Sequence, residues 1–233
     1  MSAGLQLDFD YDALEDAIFT EARQAFRQLQ RDFKHETFYG FALMSNDHYY
    51  DVTLAANSEE GLTRRVDENR KYGQSFGDAD EEICKVYLRP IVEEYHFFQE
   101  WNLMQRYQPF LKKANAMMRD HTERSGSLVE FSDAYNRGPD AGSVAAWDRL
   151  IEPFEAEIRE RFSNALRRLD QFNLFEMTNT RDNVTLGIHV HDSKFSPDGV
   201  LADTHKLNPE TVHRKFMADY ERHLEAERVL FGR

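Results

Sequence analysis

The chain has 233 residues, of which 41% are hydrophobic, and its 42 acidic side chains outnumber the 29 basic ones to give a formal net charge of −13. This length allows a sizeable core, and no apolar run approaches the roughly 20 residues that a membrane span needs. The negative charge disfavours binding to nucleic acid or anionic membranes and favours basic partners, although acidity can also serve solubility alone.

The chain opens with an acidic segment, MSAGLQLDFDYD, which lacks the basic region and the apolar core of a signal peptide. Cys84 is the only cysteine, so no disulfide can form within the chain, and a reducing compartment suits it. We therefore expect a cytoplasmic protein.

The first predicted element is a helix with Asp12 as its N-cap and Glu15 three residues on. Six apolar residues share one of its faces at spacings of three and four: Leu14, Ile18, Ala22, Phe26, Leu29 and Phe33. This spacing predicts an amphipathic helix of about six turns that packs against the core.

Residues 37–56 have the pattern of a β-hairpin. Residues 38–44 form an unbroken apolar run, typical of a strand buried on both faces, and residues 45–47 supply a polar turn. From His48 onward, apolar and polar residues alternate, which predicts a half-buried antiparallel strand.

A helix is predicted directly after the hairpin, over residues 58–72. Asn57 as its N-cap, with Glu60 three residues on, resembles a capping box. Beyond this helix, residues 83–88 form a short apolar run that predicts a further strand, which ends before Pro90.

Acidic residues are concentrated around that apolar run, at Asp78, Asp80, Glu81, Glu82, Glu93 and Glu94. The first four place four carboxylates within five positions. A run of this kind is usually a solvated face or the start of a helix or strand. In a chain this acidic, it is also the candidate binding surface for a basic protein partner.

The middle of the chain is predicted to be helical and aromatic. Aromatic spacing over residues 91–119 predicts a helix whose stripe packs in the core rather than stacking on bases. Residues 123–143 include three glycines and a proline, which predicts a linker or a mobile loop. A long apolar stripe over residues 147–169 predicts another helix, kinked or broken near Ile151 because Pro153 lies inside it.

The last third predicts one strand and one helix. Residues 184–191 alternate apolar and polar side chains, so the strand has one face of each kind. Asn208 as N-cap and Pro209 as the first helical residue predict the start of the final helix. One face of that helix carries Val212, Phe216, Tyr220 and His223.

A histidine pair on the late strand raises the possibility of a metal site. His189 and His191 share the polar face and Asp192 follows, and two imidazoles on one side of a strand are a recurrent metal-ligand arrangement. His205 and His213 lie downstream, but no third ligand has a characteristic spacing, and HExxH and CxxC patterns are missing. We therefore expect a structural or surface role for the pair, with no metal, no cofactor and no enzymatic activity.

Together these elements predict a single α+β domain over residues 1–233, with a loop excursion at 123–143. An antiparallel sheet, built from the 37–56 hairpin and the 184–191 strand, is expected to be covered by several helices.

Four segments in combination resemble the domain-of-unknown-function family 4303: FYGFAL, YYDVTLAANSEEGL, VTLGIHVHD and THKLNPETV. Members typically show an FYAFAL-type strand, an AANTEEGL-type segment and a late strand that leads into a helix started by LNP. The resemblance covers residues 8–72 and 184–225, whereas residues 123–143 look like a departure.

The resemblance implies a function in binding rather than in catalysis. Such genes occur in bacterial neighbourhoods with polymorphic toxins, which suggests an immunity protein, and no catalytic residues are established for the family. The favoured hypothesis is an acidic module that occludes a basic toxin, often a nuclease, with carboxylates that mimic the phosphates of its substrate. The alternative is a metal-dependent hydrolase that uses His189, His191 and Asp192.

Overall fold

The structure is a computed structural model. It describes residues 9–46, 52–72, 76–97, 141–172, 174–175, 181–191 and 203–232, with isolated positions between 109 and 120.

Five helices and three strands make up the described part of the chain. In chain order they are α1 (Tyr11–Asp32), β1 (Phe38–Asn46), β2 (Thr53–Ser58), α2 (Glu59–Lys71), α3 (Glu81–Leu88), α4 (Ala141–Gln171), β3 (Thr185–His191) and α5 (Glu210–Phe231). Short 3-10 turns occur at Val92–Glu94 and Arg181–Asn183, and residues 203–207 form one further helical turn. The predicted α+β class is confirmed.

The sheet is mixed, with β1 in the centre and the strand order β2-β1-β3. The predicted hairpin is confirmed, because β1 and β2 are antiparallel and Leu43 lies opposite Leu54. The prediction that the late strand is also antiparallel was wrong, because β3 runs parallel to β1 and pairs Leu43 with Ile188. In the described part of the chain, α2, α3 and α4 lie between these strands, and a parallel pair needs such a crossover.

One face of the sheet packs against α1 and α4. The ring of Phe26 on α1 lies 4.7 Å from that of Phe41 on β1 and 4.9 Å from that of Phe175. The predicted first helix is confirmed, although its N-cap is Asp10 rather than Asp12, since Asp10 Oδ1 accepts a hydrogen bond from the Ala13 amide at 2.9 Å.

The other face packs against α2 and α3, with α5 beyond. Ala42 and Ala55 from the strands meet Leu62 and Val66 of α2 in this second cluster. The hairpin's second strand was predicted to be half-buried, which is wrong for β2. Every residue from Leu54 to Ser58 is buried, because helices cover both faces of the sheet.

The predicted strand over residues 83–88 was also wrong, because these residues lie in α3. Asp80 caps this helix by accepting a hydrogen bond from the Glu82 amide at 2.9 Å. Cys84 and Leu88 are its buried residues, one helical turn apart. The acidic run is therefore the start of a helix, where carboxylates are favoured by the helix dipole.

The predicted aromatic helix does not begin at residue 91. After the turn at Val92–Glu94 the backbone is non-helical as far as Phe97, where the Phe97 amide donates a hydrogen bond to the Ala56 carbonyl of β2 at 3.2 Å. Tyr95 is buried, in agreement with a packing role for the aromatic residues. Residues 98–108 lie outside the described residues.

The long helix α4 runs without a break through Pro153, so the predicted break near Ile151 is absent. Its apolar stripe packs along α1, which holds the helix together on the C-terminal side of the proline. The predicted loop excursion lies outside the described residues up to residue 140, and residues 141–143 already belong to α4.

Two asparagines that were predicted to cap helices bond elsewhere. Ser58 caps α2 in place of Asn57, which is buried and donates a hydrogen bond to the Tyr39 hydroxyl at 3.0 Å. Asn208 precedes α5 but turns its amide to β3, where it accepts from the Leu186 N–H and donates to the Leu186 carbonyl, both at 2.8 Å. The N-cap of α5 is Pro209, which makes no side-chain cap hydrogen bond.

Candidate functional site

A pocket of about 330 Å³ opens on the second face of the sheet, between β1, β3 and α5. The end of α3 and residues 90–95 close one side, and Thr204 lies in its lining.

The floor of the pocket is formed by small residues. Ala42 on β1 and Gly187 on β3 are partners in the parallel ladder, and both line the pocket. Among the described residues, a Cβ atom added to Gly187 would meet only the Ala42 Cβ, at 3.9 Å. The space exists because neither strand places a large side chain there.

One wall of the pocket is a row of aromatic rings. The His223 ring is stacked on Tyr87, with centroids 5.0 Å apart and planes 21° apart, and it is also stacked on Tyr220 at 5.8 Å. Tyr220 stacks in turn on Phe216 at 6.4 Å. Three of these rings belong to α5, and their spacing of three and four residues places them on one helix face: Phe216, Tyr220 and His223.

The position of His223 is fixed by a hydrogen bond to the backbone of α3. Its Nδ1 lies 2.6 Å from the Tyr87 carbonyl oxygen. A carbonyl can only accept, so Nδ1 carries the proton and donates. In the neutral ring Nε2 is then an acceptor, and it makes no other hydrogen bond among the residues that the structure describes.

Two phenols lie buried near this face. Burial raises the pKa of Tyr95 above its ordinary value, and the Arg89 guanidinium opposes that rise. Burial also raises the pKa of Tyr39 well above 10.0, and the neighbouring Tyr95 adds to that rise. Both rings therefore stay protonated and neutral around physiological pH.

Only one side chain of the predicted histidine pair lies within the described residues. His189 is 4% exposed and lines the pocket from β3. His191 is the last residue of β3, but its side chain and the whole of Asp192 lie outside the described residues. The described residues contain no group of three histidine, cysteine or carboxylate side chains that could hold one metal ion.

The other two histidines considered as metal ligands lie beside each other. The rings of His205 and His213 are 4.9 Å apart, and His205 Nε2 lies 3.8 Å from a carboxylate oxygen of Glu210. This arrangement joins the 203–207 turn to the start of α5.

The predicted acidic surface divides into acids with different roles. Glu81 and Glu82 approach the Lys85 ammonium at 2.6 and 3.3 Å, and the hydrogen bond to Lys85 lowers the pKa of Glu81. Asp78 is exposed, and Asp80 caps α3.

The acids that follow α3 differ from this group. Glu94 is bound to Arg65 at 2.9 Å, and the side chain of Glu93 lies outside the described residues. The exposed carboxylates among the predicted set are therefore those around the first turn of α3.

The pocket was not predicted from the sequence. The face shared by Phe216, Tyr220 and His223 was visible in the spacing of α5. The floor was not, because Ala42 and Gly187 meet only through the pairing of β1 with β3. A glycine opposite an alanine on adjacent strands is recognisable only once the register is known.

The fold and the site define a helix-covered, mixed-sheet α+β protein with a small aromatic pocket. A family model described as Domain of unknown function (DUF4303) matches residues 18–209, and the chain belongs to this family. No curated protein and no solved structure matches the chain. Among the described residues, no helix is long and apolar enough to cross a membrane.

The structure gives physical roles to the residues that carry the family resemblance. Within AANSEEGL, Asn57 donates a hydrogen bond to the Tyr39 hydroxyl, and Ser58 caps α2. Glu60 accepts a hydrogen bond from the Thr37 amide at 2.9 Å. Within LNP, Asn208 binds β3. These motifs therefore join helices to the sheet.

Proposed function

We propose that this protein is an acidic protein-binding module of the immunity type, which neutralises a basic toxin by covering its active surface. The observation that carries the proposal is the exposed group of carboxylates at the first turn of α3, in a chain with a net charge of −13. A field of this sign attracts cationic partners and accelerates their association.

The contacts of each acid indicate which of them are available to a partner. The side chain of Glu82 is 79% exposed, and Asp78 is also exposed. Asp80 is engaged in capping and Glu94 in an ion pair with Arg65. Although Glu82 lies 3.3 Å from the Lys85 ammonium, most of its side chain is open to solvent. Asp78 and Glu82 are therefore the acids that contact the partner, with Glu81 beside them.

The proposal requires a basic toxin encoded beside this gene, and the toxin that such a gene encodes is the partner used in the test. We expect an Asp78→Lys/Glu82→Lys variant to associate more slowly with it, with a smaller change in dissociation, because exposed charges act mainly on encounter. Surface plasmon resonance at low and high salt measures both rates. The loss should shrink at high salt as screening increases.

A matched control carries the same change of charge elsewhere. Glu152 on α4 and Asp182 after it are both exposed, so Glu152→Lys/Asp182→Lys alters the net charge equally. Equal slowing in both variants, a loss that does not depend on salt, or full protection of toxin-exposed cells by the Asp78→Lys/Glu82→Lys variant would remove these acids from the interface.

The metal-dependent hydrolase is the second candidate, and the burial of His189 in the pocket wall favours keeping it. Metal analysis of protein purified without chelator, compared with a His189→Ala/His191→Ala variant, separates the two functions. One equivalent of zinc or manganese, lost in the variant, would favour the hydrolase over the binding module.

A further inference from the structure

We propose that the pocket between the sheet and α5 binds a small, neutral, planar heteroaromatic molecule of one or two rings that carries an N–H donor. This inference is independent of toxin binding, which we assign to the carboxylates of α3.

The volume of the pocket sets the size of the ligand. About 330 Å³ lies at the lower end of the range of about 300–1,000 Å³ that small-molecule sites occupy. It suits a single or fused ring system and is too small for a large cofactor.

The walls set the shape of the ligand. The row formed by Tyr87, His223 and Tyr220 presents nearly parallel rings, and the floor at Ala42 and Gly187 is free of large side chains. Aromatic rings prefer offset-stacked or edge-to-face contacts with other rings. A flat ligand can make such contacts while it lies over the smooth floor.

The polar groups of the pocket determine the charge of the ligand and the hydrogen-bond donor that it carries. Among the described residues that line the pocket there is no lysine, arginine, aspartate or glutamate. A charged ligand would lose its hydration there without an ionic partner, and the chain's net charge of −13 disfavours anions further. Nε2 of His223 is an acceptor, so it selects a ligand with an N–H group.

Indole is the probe for the first experiment, and isothermal titration calorimetry measures its affinity. We expect one indole per chain with a Kd of about 1 mM or tighter. Indole-3-carboxylate tests charge and cyclohexanol tests planarity, and both should bind more weakly than indole. Undetectable binding of indole near its solubility limit, or tighter binding of either comparison compound, overturns the proposal.

Filling the pocket provides the second experiment. Gly187 has an ordinary backbone conformation, and 3.9 Å to the nearest atom leaves room for a methyl group. Gly187→Ala should weaken indole binding, and Gly187→Val should weaken it about tenfold or more. Ala218→Val adds similar bulk on the exposed face of α5 and should leave binding unchanged.

The two glycine variants together keep the experiment decisive. If Gly187→Val fails to fold, the alanine variant still reports on the floor. Wild-type affinity in a folded Gly187→Ala and a folded Gly187→Val means that the ligand lies elsewhere and contradicts the proposal. So does an equal loss of binding in Ala218→Val.

The hydrogen bond to His223 is tested by pairing a variant with a modified probe. His223→Phe keeps a ring in the row but removes the acceptor, and N-methylindole removes the donor. Each change alone should lower the affinity about three- to tenfold. N-methylindole should bind to His223→Phe almost as well as indole does, because the acceptor is already gone. If instead the two changes lower the affinity independently, so that their fold-losses multiply, the assigned hydrogen bond is contradicted.

Discussion

The two faces of the sheet are built from the same three strands but have opposite character. Towards α1 and α4 the strands place large residues such as Phe41 and Leu43, which are fully buried. Towards α3 and α5 they place Ala42 and Gly187, and a pocket remains. Dense packing leaves no room for a ligand, so stability is concentrated on the first face and the candidate ligand site on the second.

Polar groups are buried on both sides of the sheet, among them Glu21 and Gln30 on α1. The second face buries Asn57, His189 and the hydroxyl-bearing rings of Tyr39 and Tyr95. Buried polar groups destabilise a fold unless they are hydrogen-bonded. What distinguishes the second face is that two of its buried polar side chains, His189 and Tyr95, line the pocket.

The largest expected effect is on the first face, at Phe41. Its ring is fully buried and lies 4.7 Å from that of Phe26 and 5.8 Å from that of Phe175. Phe41→Ala should lower the free energy of unfolding by about 3–5 kcal/mol, through lost burial and a cavity. Urea unfolding measures the change. Val229 is 63% exposed, and Val229→Ala should stay within about 0.5 kcal/mol.

A loss of less than about 1 kcal/mol for Phe41→Ala, the usual range of surface sites, would contradict the central position of β1. It would also remove the contrast between the faces, since the first face would then be no more tightly packed than the second.

The second face should lose stability at alkaline pH. The pKa of Tyr39 and of Tyr95 is raised above 10.0 by burial, so the unfolded chain loses these protons first. Their contribution is fully present below pH about 10 and is lost as pH rises from there towards the raised values. The slope is about 1.4 kcal/mol per pH unit for each group.

Urea unfolding from pH about 9 to 11 measures this slope. Tyr95→Phe removes one of the two phenols, so its alkaline slope should be smaller by about 1.4 kcal/mol per pH unit. An unchanged slope in this variant would show that Tyr95 ionises in the folded protein as readily as in the unfolded chain.

A substitution at Asn57 should destabilise the protein less than Phe41→Ala, because it removes hydrogen bonds rather than a large buried side chain. It donates to the Tyr39 hydroxyl at 3.0 Å and accepts from the Ser58 amide at 3.0 Å. Asn57→Ala should lower the free energy of unfolding by about 1–3 kcal/mol. In a cycle with Tyr39→Phe the two losses should not add, and strict additivity would contradict the bond to Tyr39.

The smallest effect is expected at the helix start. Asp80→Ala removes the cap of α3 and should lower the free energy of unfolding by about 0.5–2 kcal/mol. Asp78→Ala, two residues earlier and exposed, should change it by less than about 0.5 kcal/mol. Thermal unfolding of both variants checks this. Equal values would mean that the acids of this run are interchangeable.

The sequence predicted the elements whose signal is local. The apolar side chains of α1 and of β3 all face one hydrophobic cluster. Their spacing in the sequence therefore shows the period of the helix and of the strand. The hairpin of β1 and β2 was predictable because its strands are adjacent in the chain. The helical nature of α3 was obscured by the apolar run at 83–88, although Asp80 and the spacing of Cys84 and Leu88 were valid helix signals.

The direction of β3 and the pocket could not be predicted, because both depend on residues far apart in the chain. Alternation in β3 indicates which side chains share a face, but not which way the strand runs. Gly187 faces Ala42 only in the parallel register. For His189, the polar side of the strand was predicted correctly, but its burial depends on α5 and on the 203–207 turn, which cover that side.

The contact between Asn208 and β3 has a consequence for behaviour at high concentration. Among the described strands, β3 is an edge strand of the sheet. The unpaired backbone of an edge strand is a template on which a second molecule can add a strand of its own. The carboxamide of Asn208 satisfies the N–H and the carbonyl of Leu186 as a neighbouring strand would. An incoming strand finds that position occupied, so this single side chain works against polymerisation of the protein through its sheet.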